Sequence, residues 1–162
     1  MSALITGILR IIHPEMYLAG YDAMKKVAHK FPDFAHDIDQ WGHPFTAISA
    51  ISNRQTPVHR DTKSRIPYYD ILSSFSPFPD SRLEYTHHGI KAYMKPGGFA
   101  AFCGFVMPHK AMDCAGDRLC CAWYMRRSIH AAINAMPAPW MDQKTYFDCL
   151  VKPLAIDFPL FY

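Results

Sequence analysis

No cysteine pair with C-x-x-C spacing occurs in the chain, and its five cysteines, Cys103, Cys114, Cys120, Cys121 and Cys149, are odd in number. Both facts argue against a disulfide scaffold and against a zinc ribbon. No disulfides are expected, and a reducing, intracellular compartment follows. Long apolar runs are missing too, so no membrane-spanning helix is expected. The opening MSALITGILRII has a short apolar run but neither the basic n-region nor the small-residue cleavage site of a signal peptide. Internal repeats and low-complexity segments are also absent. Strong charge is lacking: the net charge is +3 and the pI about 8.6. That balance is compatible with nucleic acid without arguing for it.

What is present points to a folded globular chain. Its 162 residues suit one domain able to bury a core without disulfide help, and 50% of them are apolar. Thirteen prolines and eight glycines suit short strands and loops better than a helical bundle. Residues 14–30 read as a helix. Pro14 suits the first helical position, Tyr17, Leu18, Tyr21, Met24, Val27 and Ala28 recur at helical spacing, and Lys25, Lys26 and Lys30 lie toward the end that favours cations. FTAISAIS (45–52) alternates as a strand. IPYYDILSSF (66–75) is ambiguous between strand and short helix, SPFPD (76–80) reads as a turn, and IKAYM (90–94) as a short strand. PGG (96–98) is a strong turn signal. FAAFCGFVM (99–107) reads as a buried strand with Gly104 as a bulge or close approach, and DRLCCAWYMRR (117–127) as another strand. MPAPW breaks the chain before an aromatic-rich tail. The expected organisation is one domain over 1–162: a helical segment to about residue 40, a β core from about 44 to 130, and a tail from about 136.

The chemistry begins in NRQTPVHRDTKSR (53–65). In an extended segment, residues two apart share a side, so His59 and Asp61 can present an imidazole and a carboxylate to one ion. Two histidines and a carboxylate on one metal face form the facial triad of non-haem Fe(II) oxygenases. His-x-Asp alone is near chance frequency in a histidine-rich chain. His109, after Pro108 at the end of the 99–107 strand, is the best second histidine, with His87, His88 and His130 as rivals. The residues alone leave His109 open between ligand and hydrogen-bonded rim histidine. Arg118, nine residues on, could hold a dicarboxylate through two parallel hydrogen bonds. A surface ion pair with Asp117 or another carboxylate is the plainer reading of the same pattern. Arg54 could add a second cationic contact.

The ordered strings ISNRQTPVHRDTKSR, PYYDIL, KPGGFAAFCGFVMPHKA, CAGDRLCCAWYMRRSIH and APWM resemble the TET/JBP-type oxygenase domains of mushroom-forming fungi. The similarity runs from about Ile12 to Met141. A string of this length, N-R-x-T-P-x-H-R-D-T-K-S above all, is far more specific than His-x-Asp. The resemblance implies a mainly β fold with flanking helices, a double-stranded β-helix of the jelly-roll or cupin-like kind, with a metal at its open mouth. It implies an Fe(II)- and 2-oxoglutarate-dependent dioxygenase with His59, Asp61 and His109 as iron ligands. It also implies Arg118, with Arg54 nearby, as the holder of the 2-oxoglutarate carboxylate, and ascorbate as a possible reductant.

The partner implied is DNA carrying a modified base, with RNA or a free nucleoside as other substrates. The nucleus follows as location only from that substrate, because no basic targeting cluster is visible. Asn53, Ser64, Tyr69 and Arg126 are expected at the base, and Tyr68, Arg60, Lys63 and Arg65 as further contacts near the mouth. The chain departs from animal and protist relatives at two base-reading positions. Ser64 replaces Asn or Asp three residues after the metal carboxylate, and Arg126 replaces a His eight residues after Arg118. The base is therefore open between 5-methylcytosine, placed first, and N6-methyladenine. A nucleic-acid-binding relic without activity is the remaining alternative.

Overall fold

A computed structural model describes residues 1–75 and 81–151. Three helices come first: α1 (Ser2–Ile12), α2 (Pro14–Lys30) and, after a 3-10 turn at Pro32–Phe34, α3 (Ala35–Trp41). Seven strands follow: β1 (Ala47–Ser52), β2 (Asp70–Ser74), β3 (Arg82–Tyr85), β4 (Ile90–Tyr93), β5 (Phe99–Phe102), β6 (His109–Ala111) and β7 (Leu119–Tyr124). Then come α4 (Arg127–Ala132) and α5 (Gln143–Val151). No helix among the described residues is long and apolar enough to cross a membrane.

Local chemistry sets the helix boundaries. His13 lies between α1 and α2, and its Nδ1 accepts the Met16 N–H at 3.2 Å, filling an otherwise orphaned donor of the first turn. Pro14 follows at the position where a missing N–H costs nothing. The buried stripe of α2 is Met16, Tyr17, Gly20 and Ala23. It is rotated from the stripe expected from the sequence, and Leu18 is exposed. Gly20 explains the rotation: a Cβ there would lie 2.6 Å from Pro44 and from the Met125 methyl, so only glycine lets α2 sit this close.

The strands form two antiparallel sheets, one in the order β1-β7-β2-β5 and one in the order β4-β3-β6. His59 forms an isolated antiparallel bridge with His109 and extends the smaller sheet beyond β6. The chain passes back and forth between the sheets, and every ladder is antiparallel. Two facing sheets wound in this way make a double-stranded β-helix.

Alternation along β2 and β7 sorts side chains between two environments. Ile71 and Trp123 face outward and pack with Ile5, Leu9, Met16, Tyr17, Phe45 and Tyr68 beneath the helices. Leu72 faces inward, against Leu83, Tyr85, Met94 and Phe102 of the second core. The expected β core of about 44–130 thus spans 47–124, and α4 follows it directly.

Several sequence expectations need correction. The strand expected over 99–107 ends at Phe102. The Val106 and Met107 N–H groups both donate to the Cys103 carbonyl, at 3.1 and 2.9 Å, so the chain turns and changes sheet there, and His109 opens β6 rather than ending β5. The ambiguous 66–75 segment is a strand only from Asp70 onward. The rival histidines His87 and His88 lie in a 3-10 turn that follows β3. Helix α4 carried no sequence signal that was read, and part of the tail is helical in α5. The turn expected at 76–80 lies outside the described residues.

Three histidines, His13, His43 and His130, are at most 2% exposed. Burial lowers the pKa of each from 6.5 to about 4. The fold thus holds them neutral, while the unfolded chain takes up their protons below pH 6.5. Stability is therefore full above pH 6.5 and falls as pH drops from 6.5 toward 4. Thermal melts across that range should show a falling Tm, and replacing His43 with Phe should flatten the slope.

Candidate metal centre

Three donors from distant parts of the sequence meet at one end of the space between the sheets. His59, Asp61 and His109 each offer a ligand atom within 4.8 Å of the others. His59 Nε2 lies 3.8 Å from Asp61 Oδ1, and His109 Nε2 lies 3.5 Å from Asp61 Oδ2. Two neighbouring ligands, each about 2.1 Å from a metal, stand roughly 3 Å apart, so a small contraction brings these donors to bonding distance.

The backbone does most of the positioning. The His59 N–H donates to the His109 carbonyl at 2.9 Å and the His109 N–H returns a bond to the His59 carbonyl at 3.0 Å. This reciprocal pair sets the two imidazoles side by side, with ring centroids 4.3 Å apart. The Asp61 N–H donates to the Gly104 carbonyl at 2.9 Å, and the Asp61 carbonyl accepts from Ser64 N–H at 2.9 Å.

Both histidines share one tautomer. His59 Nδ1 lies 2.9 Å from the Pro57 carbonyl, and His109 Nδ1 lies 2.9 Å from the Met107 carbonyl. A carbonyl only accepts, so each Nδ1 carries the proton and each Nε2 turns a lone pair toward Asp61. This is the second contact that orients a metal-binding imidazole. Burial holds the His109 pKa below its ordinary value and keeps the ring neutral. Two imidazoles and a carboxylate on one side, with open space on the other, fit a ferrous ion with free coordination positions.

That open space is a cavity of about 680 Å³. The inward-facing residues of the large sheet wall it, among them Ser49, Leu72, Cys120 and Tyr124, and Arg54, Ser64, Arg118 and Arg126 also line it. Arg118 sits just before β7 and is 7% exposed. Its guanidinium donates to the Met112 carbonyl at 2.6 Å and to the Arg54 carbonyl. Among the described residues no ion pair of its guanidinium is found, and Asp117 accepts from the Asn53 amide. Three of its five N–H donors remain.

The expected base-contacting residues divide. Ser64 and Arg126 line the cavity. Asn53 and Tyr69 do not. The Asn53 amide binds Asp117 at 2.8 Å and accepts the Arg118 N–H at 2.6 Å, which pins the end of β1 to the start of β7. The Tyr69 ring meets His13 edge-on beside the helices. Tyr68 is fully buried, with its hydroxyl 2.9 Å from His130 Nδ1, so it has no face for stacking. That contact also removes His130 from the metal rivals. His87 and His88 lie outside the donor cluster.

Asp70 was missed by sequence reasoning, although a carboxylate inside the apolar run YYDIL is an odd enough placement to flag it. It is 4% exposed and accepts from Ser64 Oγ at 3.3 Å. Burial, joined by the charge of Asp61, raises its pKa to about 7. Gly104 lies against both carboxylates, and a Cβ there would collide with Asp61 Oδ2 and Asp70 Oδ2. The glycine read from the sequence as a bulge or close approach is a close approach.

The Tet_JBP family, described as the oxygenase domain of the 2OGFeDO superfamily, matches residues 1–127. No curated protein matches the chain. Among solved structures, it is similar to NgTET1 in complex with 5mC DNA, at 18% identity and a TM-score of 0.49, over 72% of this chain and 45% of that one. It is also similar to a Pseudomonas putida prolyl-4-hydroxylase, at 19% identity and a TM-score of 0.31, over 52% of this chain and 48% of that one. The matched region spans less than half of either solved chain.

Gly104→Ala tests the carboxylate's placement. The added methyl should push Asp61 out of line and weaken Co(II) binding about ten- to a hundred-fold, with the far-ultraviolet circular dichroism spectrum retained. Unchanged affinity in a Co(II) titration would mean that Asp61 is not a donor.

Proposed function

The chain belongs to the TET/JBP family of oxygenase domains in the 2OGFeDO superfamily, and from that premise we propose that it hydroxylates the methyl group of a methylated base in DNA. The reaction consumes dioxygen and 2-oxoglutarate and yields a hydroxymethyl base, succinate and carbon dioxide. It is a 2-oxoglutarate-dependent dioxygenase, and the family's cofactor and co-substrate are Fe(II) and 2-oxoglutarate. The preferred base is 5-methylcytosine. We read the chain as a single dioxygenase domain, acting in the nucleus if chromosomal DNA is the substrate.

One observation carries the reading: His59, Asp61 and His109 converge at the wall of a roomy cavity that a buried arginine, without an ion pair among the described residues, also lines. In this reading His59, Asp61 and His109 hold the iron. An iron ion held there would supply the hydroxylating chemistry, with 2-oxoglutarate as co-substrate. The residues supply geometry. The Nδ1 contacts fix both imidazoles, and the Gly104 carbonyl fixes the Asp61 backbone, so little reorganisation is needed on binding. Arg118 receives the distal carboxylate of 2-oxoglutarate, since a buried guanidinium without a counter-charge is costly until an anion arrives. Arg54 lies beside it.

The two carbonyls that hold Arg118 stop it swinging away, which aims the co-substrate at the metal end. Ser64 and Arg126, which also line the cavity, meet the substrate. A base stacked in a duplex cannot enter such a cavity, so the nucleotide enters unpaired or flipped. Ser64 Oγ, whose proton goes to Asp70, offers lone pairs, and Arg126 offers only donors. A donor-only contact suits the O2 and N3 acceptors of cytosine.

The test is incubation with Fe(II), 2-oxoglutarate and ascorbate against DNAs carrying 5-methylcytosine or N6-methyladenine, with matched RNA and free nucleoside, read by mass spectrometry. 5-Hydroxymethylcytosine in DNA is expected. Product from N6-methyladenine alone moves the assignment to that base, and no product from any of them defeats the reading. His59→Ala should lower both iron binding and product by more than about a hundred-fold. Arg118→Lys should raise the KM for 2-oxoglutarate roughly tenfold or more, because an ammonium cannot reproduce the two-pronged contact.

A further inference from the structure

A second, shallower groove of about 700 Å³ lies beside α4. Lys63, Arg126, Arg127 and Ser128 line it, together with Ile129 and Ala131. Lys63 and Arg126 also line the metal cavity, so the two hollows share a wall.

The main chain of that wall and the Arg126 guanidinium are held in place. The Arg127 N–H donates to the Lys63 carbonyl at 3.3 Å, which ties the start of α4 to the loop that carries Asp61. The Arg126 guanidinium lies 4.8 Å above the Tyr124 ring and donates to its hydroxyl at 2.9 Å. The same hydroxyl lies 2.9 Å from Ser49 Oγ, and the Arg126 N–H donates to Thr46 Oγ1 at 2.7 Å. Among the described residues, Lys63, Arg126 and Arg127 form no ion pair. Three uncompensated cations along one groove repel each other until an anion separates them.

Resting on the substrate reading above, we infer that this groove binds a phosphodiester of the DNA strand next to the base in the metal cavity. A base that enters the cavity stays tethered to its own sugar and phosphate. The phosphate must therefore lie just outside the entrance, where the shared wall presents its cations. A free nucleoside fills the cavity and leaves the groove empty, so the groove is what favours a strand over a nucleoside.

Arg127 and Lys63 are both exposed, so replacing them leaves the cores untouched. The probe is a fluorescein-labelled single-stranded oligonucleotide with one 5-methylcytosine, titrated by anisotropy from 50 to 300 mM salt. Each lost phosphate contact should reduce the slope of log K against log salt by about 0.7. Lys63→Ala with Arg127→Ala, which removes the phosphate contact, should thus lower it by about 0.7, and Arg127→Ala alone by less. Affinity at 50 mM salt should fall roughly ten- to a hundred-fold in the double variant. Its melting temperature and Co(II) affinity should stay near native.

A double variant that keeps the native slope overturns the inference, and so does a native protein with no salt-dependent binding to the strand. The oxidation assay separates the two ideas. Native oxidation of DNA with an unaltered slope in the variant removes the groove and leaves the substrate reading. Slope loss without any oxidation does the reverse.

Discussion

The two backbone hydrogen bonds exchanged by His59 and His109 hold the centre together. They join a proline-bounded loop to the shortest strand of the smaller sheet. Without that bridge, the two imidazoles would belong to segments with no reason to meet. With it, each ring needs only a local contact, the carbonyl two residues before it, to turn Nε2 toward Asp61. The centre is thus fixed mainly by the main chain, which is stiffer than any side-chain network of equal size.

That arrangement costs the fold an apolar interior at one end. The cavity walls carry Ser49, Ser64, Asp70, Arg118 and Arg126 where a closed sandwich would place aliphatic residues. The packing lost there is offset on the outer face of the large sheet, where α1 and α2 cover Ile71 and Trp123 and bury Tyr17, Phe45 and Tyr68. The helices are therefore part of the site's support. Tight seating at Gly20 against Pro44 and Met125 holds the chain before β1 and after its neighbour β7, two residues from Thr46 and one from Arg126.

Much of the fold was legible where one periodicity ruled. Helix α2 and strands β1, β4 and β7 were readable because alternation or helical spacing agreed with the turn residues at their ends. The change of sheet after Phe102 was not, because FAAFCGFVM is uniformly apolar and periodicity is silent in such a run. Helix α4 was missed because Arg127–Ala132 is too short to show a repeat. At the site, His59, Asp61, His109 and Arg118 were named from the sequence. Asn53, Tyr68 and Tyr69 were misplaced, because a polar or aromatic side chain beside a motif can turn either way. The contacts that turned them, Asp117, His130 and His13, lie up to 64 residues away.

The sequence by itself determined the donor types, their order along the chain and the family they belong to, because those are properties of a string of residues. It also determined that no cysteine framework or apolar span was needed. Only the tertiary structure decided which histidine joins His59, that Arg118 lines a cavity, and that Asp70 and Gly104 press on the metal carboxylate. Those outcomes depend on distances between segments about fifty residues apart. Strand pairing sets such distances, and no local pattern of residues encodes them.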